Sequence, residues 1–162
     1  MTKASRLAIT VAAAGFLLLF GLAAAIVFRA IGQADDPGPV DFATLEPAPG
    51  STLICPADLC LAASQALPAP VFTISAERLA AKLRRHALGE VGVEESPVEG
   101  ADRLRFVRRS LLLRLPDVID VRIIARSSGA ATLALYGRPL VGALDFGANR
   151  ARMERWIEAL SR

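Results

Sequence analysis

A group of polar side chains in the C-terminal half of the chain has residue types that bind anions. It contains five arginines, two aspartates, a tyrosine and an asparagine: Arg114, Asp117, Arg122, Arg126, Tyr136, Arg138, Asp145, Asn149 and Arg150. Guanidinium groups can hold a carboxylate or a phosphate with paired hydrogen bonds, and a helix beginning at Asn149 would point backbone N–H groups at the same ligand. The hypothesis is a site for an anionic ligand, such as a lipid head group, a small molecule or a cell-wall fragment.

The same residues also have a structural interpretation. Arg138 or Arg150 can form an ion pair with Asp117 or Asp145, and such a pair would hold the last helix on the sheet. The charge balance of the domain favours this interpretation, because every cation there has an acid to pair with. Both interpretations stay open on the sequence alone.

The sequence carries no recognisable catalytic motif. A Ser-His-Asp hydrolase would need the single histidine, His86, beside a serine in a G-x-S-x-G turn, and the sequence has no such turn. It has no strand–GxxxxGK–helix phosphate loop either. We expect no catalytic residue, no cofactor and no metal site. The alternative is a hydrolase or other enzyme that acts on an anionic envelope substrate through the Arg/Asp/Asn group.

Two cysteines lie close together in the segment CPADLC, at Cys55 and Cys60. In an oxidising compartment this spacing indicates a local disulfide, which would stabilise the fold by about 2 kcal/mol. Free thiols are a second possibility. A redox pair or a metal site is a third, although a zinc site would need at least one further ligand.

The N-terminal region contains an apolar run from Leu7 to Val27 without a charged residue. A helix over this run would be about 31 Å long, enough to cross a bilayer core. We expect a retained transmembrane anchor at 7–28, with a signal peptide cleaved after Ala34 as the alternative. More cations precede the run than follow it, which favours a cytoplasmic N-terminus at 1–6 and a single-pass inner-membrane protein with a periplasmic domain.

The net charge of +3 comes from the flanks of this apolar run. The chain has 19 Lys and Arg residues and 16 Asp and Glu residues. Lys3, Arg6 and Arg29 flank the run, so 19 − 3 = 16 cations remain against 16 acids, all at or beyond Asp35. The domain is therefore neutral, which argues against nucleic-acid binding. The expected partners are the lipid bilayer, through the N-terminal helix, and an envelope protein or an anionic small molecule or lipid head group.

The chain beyond the apolar run divides into a linker and a domain. Residues 29–70 include seven of the ten prolines and the cysteine pair, which is typical of a semi-extended linker. The domain, residues 71–162, shows strand patterns at 71–74, 91–95, 103–109, 118–126 and 131–138. Helix patterns run from the cap Ser75 to Leu88, before Gly89, and from the cap Asn149 to the end.

The predicted fold class follows from the order of these elements. It is α+β, an antiparallel sheet of four to five strands with two helices packed on one face (β-α-β-β-β-β-α), preceded by one transmembrane helix.

Two stretches resemble a known family, domain of unknown function 1499 (DUF1499). They are RLPDVIDVR (114–122) and ATLALYGRPLVGALDFGANRARMERW (131–156), preceded by a cysteine–proline element that ends in a second cysteine. The residues that match the family's motifs are Arg114, Pro116, Asp117, Arg138, Asp145, Gly147, Asn149 and Arg150. Gly137 and Pro139 stand where serines are usual, which argues against a serine nucleophile there.

The resemblance covers roughly residues 55–160 and implies an architecture, because the family has no established activity. Together with the residue patterns it predicts an uncharacterised, membrane-anchored periplasmic protein. We expect it to act as a non-enzymatic binding or envelope-associated module.

Overall fold

The computed structural model describes residues 3–32, 36–111, 114–141, 145 and 147–162, with side chains described for residues 11–27 of the first range. The chain forms two compact units, Met1–Asp35 and Asp36–Arg162. Helix α1 (Lys3–Gly32) belongs to the first unit. The beginning of the predicted segment 1–6 and the alternative cleavage after Ala34 lie outside the described residues.

The first unit corrects the predicted fold. Within the part of the chain that the structure describes, no helix is both long and apolar enough to cross a membrane. This finding removes the transmembrane helix from the predicted fold.

The second unit is an α+β fold built on one mixed sheet of six strands. The strands are β1 (Thr52–Cys55), β2 (Leu67–Pro68), β3 (Val93–Glu95), β4 (Arg103–Arg109), β5 (Pro116–Ser127) and β6 (Ala130–Pro139). Their order across the sheet is β2-β1-β6-β5-β4-β3. β1 and β2 are parallel, and every other neighbouring pair is antiparallel. The prediction of an antiparallel sheet of four to five strands is therefore wrong in strand number and in direction.

The two additional strands come from the segment 29–70 that was predicted as a linker. β2 is an edge strand of two residues that ends in Pro68, and an edge position tolerates proline because one side of the strand needs no N–H donor. The predicted strand at 71–74 contributes a single bridge, in which Phe72 and Ala131 exchange backbone hydrogen bonds of 2.7 and 3.0 Å.

Helices α2 (Ala76–Leu88) and α3 (Ala148–Ser161) pack on one face of the sheet, which we call the helix face. α2 begins and ends as predicted: the Ser75 hydroxyl accepts the Arg78 N–H at 3.4 Å, and the Gly89 N–H donates to the His86 carbonyl at 3.1 Å. Leu79 and Leu83 of α2 are fully buried there.

The core of the helix face joins α3 to the strands. Trp156 of α3 is fully buried and meets Phe106 of β4 edge to face, with 5.5 Å between ring centroids. Met153 and Leu160 of α3 pack into the same apolar cluster. This cluster fixes α3, and therefore its N-terminus, relative to the sheet.

The opposite face of the sheet, the strap face, is covered without a helix or strand. Residues 36–50, which we call the strap, and the turn at 56–66 lie over it. Phe42 of the strap is 4% exposed and packs into a smaller cluster with Leu53, Cys55 and Tyr136 of the sheet. The polar side of the central strands, which would otherwise face water, is buried by this cover.

Candidate functional site

The structure distributes the nine predicted polar residues over five places. Tyr136 and Arg138 lie at the centre of the strap face, and Arg122 and Arg126 lie nearer its margin. Asp117 contacts α3 on the helix face. Asp145, Asn149 and Arg150 lie at the N-terminus of α3, and Arg114 lies in the turn before β5.

A buried charge cluster occupies the centre of the strap face. Arg105 Nη1 donates to Asp120 Oδ1 at 2.7 Å, and Arg138 Nη2 lies 3.3 Å from Asp120 Oδ2. Asp36 of the strap contacts Arg105 through Oδ1 and lies 3.8 Å from Arg138 Nη2. The side chains of Arg105, Asp120 and Arg138 are 3%, 5% and 10% exposed, whereas that of Asp36 is 40% exposed. The four form a neutral group of two cations and two acids.

Strand register explains why these side chains meet. Arg105 of β4 stands opposite Asp120 of β5, and Asp120 stands opposite Tyr136 of β6. Side chains of directly opposed residues lie on the same face of a sheet. Burial raises the pKa of Asp120 to about 6, against the opposing effect of the Arg105 and Arg138 guanidinium groups.

Tyr136 and Arg138 fix the strap to the sheet. The Tyr136 hydroxyl oxygen accepts the Ala48 N–H at 3.1 Å, and Arg138 Nη2 donates to the Gly38 carbonyl at 2.7 Å. The Arg138 guanidinium also lies over the Tyr136 ring, 5.4 Å from its centroid. In the structure, both side chains therefore form hydrogen bonds with backbone groups of the strap.

Sequence reasoning missed Arg105, Asp120 and Asp36 as site residues. The alternation in β4 places Leu104 and Phe106 on one face and Arg105 on the other, but the sequence analysis assigned no face to this strand. The available signal was that a base, Arg105, and an acid, Asp120, lie on neighbouring predicted strands and can therefore pair. The strap that buries them shows no hydrophobic periodicity, so its sequence does not indicate that it covers the sheet.

The remaining strap-face arginines bind nearby acids. Arg122 Nε donates to Asp102 Oδ2 at 3.1 Å, and Arg126 Nη2 donates to Asp58 Oδ1 at 2.7 Å. The hydrogen bond from Arg126 lowers the pKa of Asp58.

Arg114 lies apart from this group, in the turn before β5. It is exposed with a φ of 55°, and its backbone N–H donates to the Ser110 carbonyl at 3.0 Å.

A second polar network holds α3 on the helix face. Arg152 Nε donates to Glu90 Oε2 at 3.3 Å, and its Nη1 donates to Asn149 Oδ1 at 3.0 Å and lies 3.8 Å from Asp117 Oδ2. Trp156 Nε1 donates to Glu90 Oε1 at 2.9 Å. An arginine does join Asp117 to the last helix, but it is Arg152, not Arg138 or Arg150.

Burial dominates the electrostatics of this network. It raises the pKa of Asp117, although the Arg152 and Arg108 guanidinium groups oppose the shift. It also lowers the pKa of Arg152, an effect to which the nearby charge of Arg108 adds. The network is therefore a structural anchor whose charges are held out of water.

The N-terminus of α3 is capped by Asp145. Its Oδ1 accepts the Gly147 N–H at 2.9 Å and its Oδ2 accepts the Asn149 N–H at 3.0 Å. Gly147 has a φ of 79°, a conformation that favours glycine. The expectation that Asn149 is the cap is wrong: Asn149 lies inside the first turn and is fully buried.

A groove opens beside this capped terminus. It has a volume of about 540 Å³ and lies between residues 47–51, the start of β1 and the N-terminal turn of α3. Gln65 and Leu67 complete one wall, and Asp145, Gly147 and Arg150 complete the other. The Arg150 side chain is 57% exposed, and its Nε donates to Glu154 Oε1, one turn along α3, at 2.9 Å.

The predicted disulfide is confirmed. Cys55 at the end of β1 is bonded to Cys60, with 6.2 Å between their Cα atoms. Both cysteines are buried in the strap-face cluster. Among the described residues, no group of three or more His, Cys, Asp or Glu side chains is placed to hold a metal ion.

Comparison with known proteins identifies one match. A family model described as "Protein of unknown function (DUF1499)" matches residues 42–160. No curated protein and no solved structure matches the chain. The matched range contains β1–β6, α2, the groove, and α3 up to Leu160.

Proposed function

Because the chain belongs to the DUF1499 family, whose function is unknown, we propose a function from the geometry. The domain is a non-catalytic binding module that holds an anionic ligand in the groove at the N-terminus of α3. The observation that carries this proposal is the place of the groove, whose wall contains Asp145, Gly147 and Arg150, three of the residues that match the family's motifs.

Asp145 and Gly147 have structural roles at the cap, whereas Arg150 is free to contact a ligand. Its partner Glu154 is four residues along the same helix, and both side chains are more than half exposed. An exposed pair of this kind contributes only about 0.3–0.5 kcal/mol. A carboxylate or phosphate in the groove can therefore replace Glu154 at little cost.

The shape of the groove supports a small ligand or one segment of a larger one. Its volume of about 540 Å³ lies within the range of about 300–1,000 Å³ that is common for small-molecule sites. Ser51 and Gln65 add polar side chains to the walls. Arg150 would bind the anionic group, and these side chains would contact the rest of the ligand.

The cellular location is part of this proposal: the domain acts outside the cytoplasm, in the periplasm of a bacterium. The Cys55–Cys60 disulfide supports it, because disulfides persist in oxidising compartments and are rare in the cytoplasm. Because both cysteines are buried, cells are lysed directly into denaturant that contains an alkylating reagent, and labelling is compared before and after reduction. Labelling of both cysteines without reductant would contradict the location.

Recovery of a bound ligand tests the binding role. The full-length protein is purified from cell envelopes and bound lipids and small molecules are identified by mass spectrometry. We expect an anionic compound with the wild type that is lost in Arg150→Ala. Arg155→Ala is the matched control, because Arg155 is on the same helix, is 59% exposed and does not line the groove.

Two results would contradict the binding role. The first is that the wild type carries no anionic compound. The second is that Arg150→Ala and the wild type carry the same amount. The other predicted partners, the bilayer and an envelope protein, stay predictions.

A further inference from the structure

The strap places a carboxylate on two arginines that the sheet has buried. Arg105 and Arg138 share Asp120 between them, so these three side chains carry a net charge of +1 when Asp120 is ionised. The Asp36 carboxylate contacts both guanidinium groups and makes the group neutral. Without Asp36, the three sheet residues therefore form a site with one uncompensated positive charge.

The three sheet residues are rigidly placed, and the fourth is not part of the sheet. Arg105, Asp120 and Arg138 stand on three adjacent strands with fixed register. Asp36 is the first residue of its unit and is four times as exposed as Arg138, at 40% against 10%. Of the four members, Asp36 is the one that can leave without disturbing a strand.

Few contacts hold the first residues of the strap in place. Pro37 and Pro39 are exposed, the Gly38 carbonyl accepts one hydrogen bond from Arg138, and the Gly38 N–H donates to Asp36 Oδ1 at 3.0 Å within the same segment. The apolar anchor of the strap is Phe42, three residues beyond Pro39. Residues 36–39 can therefore separate from the sheet while Phe42 remains packed.

We propose that Arg105 and Arg138 form a carboxylate-binding site that Asp36 occupies as an internal ligand, and that the carboxylate of another molecule can exchange with it. The site favours a single negative charge, because the fixed Asp120 would repel a dianion. It lies on the strap face, shares no residue with the groove at α3, and does not depend on the function proposed for that groove.

Chemical rescue of the full-length protein tests this site. Asp36→Ala removes the internal ligand, and we expect a fall in Tm of roughly 5 °C, because a half-exposed partner of two buried charges is lost. Sodium acetate at about 100 mM should restore roughly half of that loss by mass action, whereas sodium chloride at the same ionic strength should not. The wild type should respond to both salts alike.

Asp41→Ala is the matched control. Asp41 lies in the same strap and is exposed, but among the described residues its carboxylate accepts hydrogen bonds only from Ala43 and Thr44. This variant should show no difference between acetate and chloride. The same acetate response in Asp41→Ala as in Asp36→Ala would overturn the proposal, and so would equal effects of acetate and chloride on Asp36→Ala.

NMR of the arginine side chains locates the bound acetate without a further substitution. In Asp36→Ala, acetate should shift the Nε–H signals of Arg105 and Arg138 and saturate, and these signals should stay unchanged in the wild type. If acetate shifts only the Nε–H signals of other arginines, it binds elsewhere, and the assignment is overturned. The double variant Asp36→Ala/Arg138→Gln should lose the rescue, and rescue that survives in it would count against the site as well.

Discussion

The two faces of the sheet both bury charged side chains, but they cover them with different kinds of structure. On the helix face, Arg152 and Asp117 lie at the margin of an apolar core beneath α3. On the strap face, Arg105 and Asp120 lie on neighbouring central strands beneath a segment without helix or strand. One face is an apolar core with a polar margin, and the other is a polar centre with an apolar margin.

This difference separates two sources of stability. Apolar burial stabilises in proportion to the area removed from water, so the helix face should respond most to truncation of a large side chain. A buried ion pair contributes little net free energy, but loss of one partner is costly because the other charge stays buried. The strap face should therefore respond most to substitutions that leave one charge unpaired.

The largest effect should come from Trp156→Ala on the helix face. The substitution removes a fully buried ring that packs against Phe106 and donates to Glu90. We expect the free energy of unfolding to fall by about 4 kcal/mol, measured by urea denaturation. Val91→Ala, at a side chain that is 78% exposed, should change it by less than about 0.5 kcal/mol. A loss below about 1 kcal/mol for Trp156→Ala would contradict an apolar source of stability.

Arg105→Gln should produce the next largest effect, on the strap face. It removes one of the two cations that Asp120 and Asp36 share and leaves Arg138 facing two acids, and we expect a loss of about 3 kcal/mol. Because the charges act as a unit, Arg105→Gln/Asp120→Asn should cost clearly less than the sum of the single substitutions. Arg155→Gln, at an exposed arginine, is the control. Additive losses in this double-mutant cycle would show that the buried pair is not coupled.

The helix face is the part of the fold that local patterns predict well. The cap Ser75, the apolar positions Leu79 and Leu83, and the terminal Gly89 together define α2, and the structure confirms its start and its end. The strand at 103–109 also has the predicted bounds. In α2 the buried positions Leu79, Leu83 and Ala87 repeat with the helical period, and this period is visible in the residues themselves.

The strap face could not be predicted in the same way. Asp36 and Arg105 meet although 69 residues separate them, and no local pattern encodes such a contact. β1 and β2 are short, and prolines surround them, so their segment has the composition of a linker. Arg122 and Arg138 were identified as candidates from residue type, but their partners depend on register and on the path of the strap.

Removal of the disulfide should weaken the strap face by an intermediate amount. Cys55→Ala/Cys60→Ala opens a short loop beneath the strap-face cluster, and we expect a loss of about 2 kcal/mol. Reductant should destabilise the wild type by a similar amount and leave the double variant unchanged. Equal stability of the wild type with and without reductant would mean that the bond does not support this face.

The pH dependence of stability should show the smallest effect, and its sign tests whether burial or pairing dominates at Asp120. Burial raises the pKa of Asp120 from 3.8 to about 6, so the native state binds more protons than the unfolded chain between these two values. The stabilisation from this group is complete below about pH 4 and is lost as the pH rises through about 6.

Between about pH 4 and pH 7, the wild type should lose on the order of 1–2 kcal/mol more stability than Asp120→Asn. Asp117→Asn on the helix face should shift the profile in the same direction as Asp120→Asn, since burial raises the pKa of Asp117 too. A wild type that instead gains stability over this range relative to Asp120→Asn would show that the two guanidinium groups outweigh burial at the centre of the strap face.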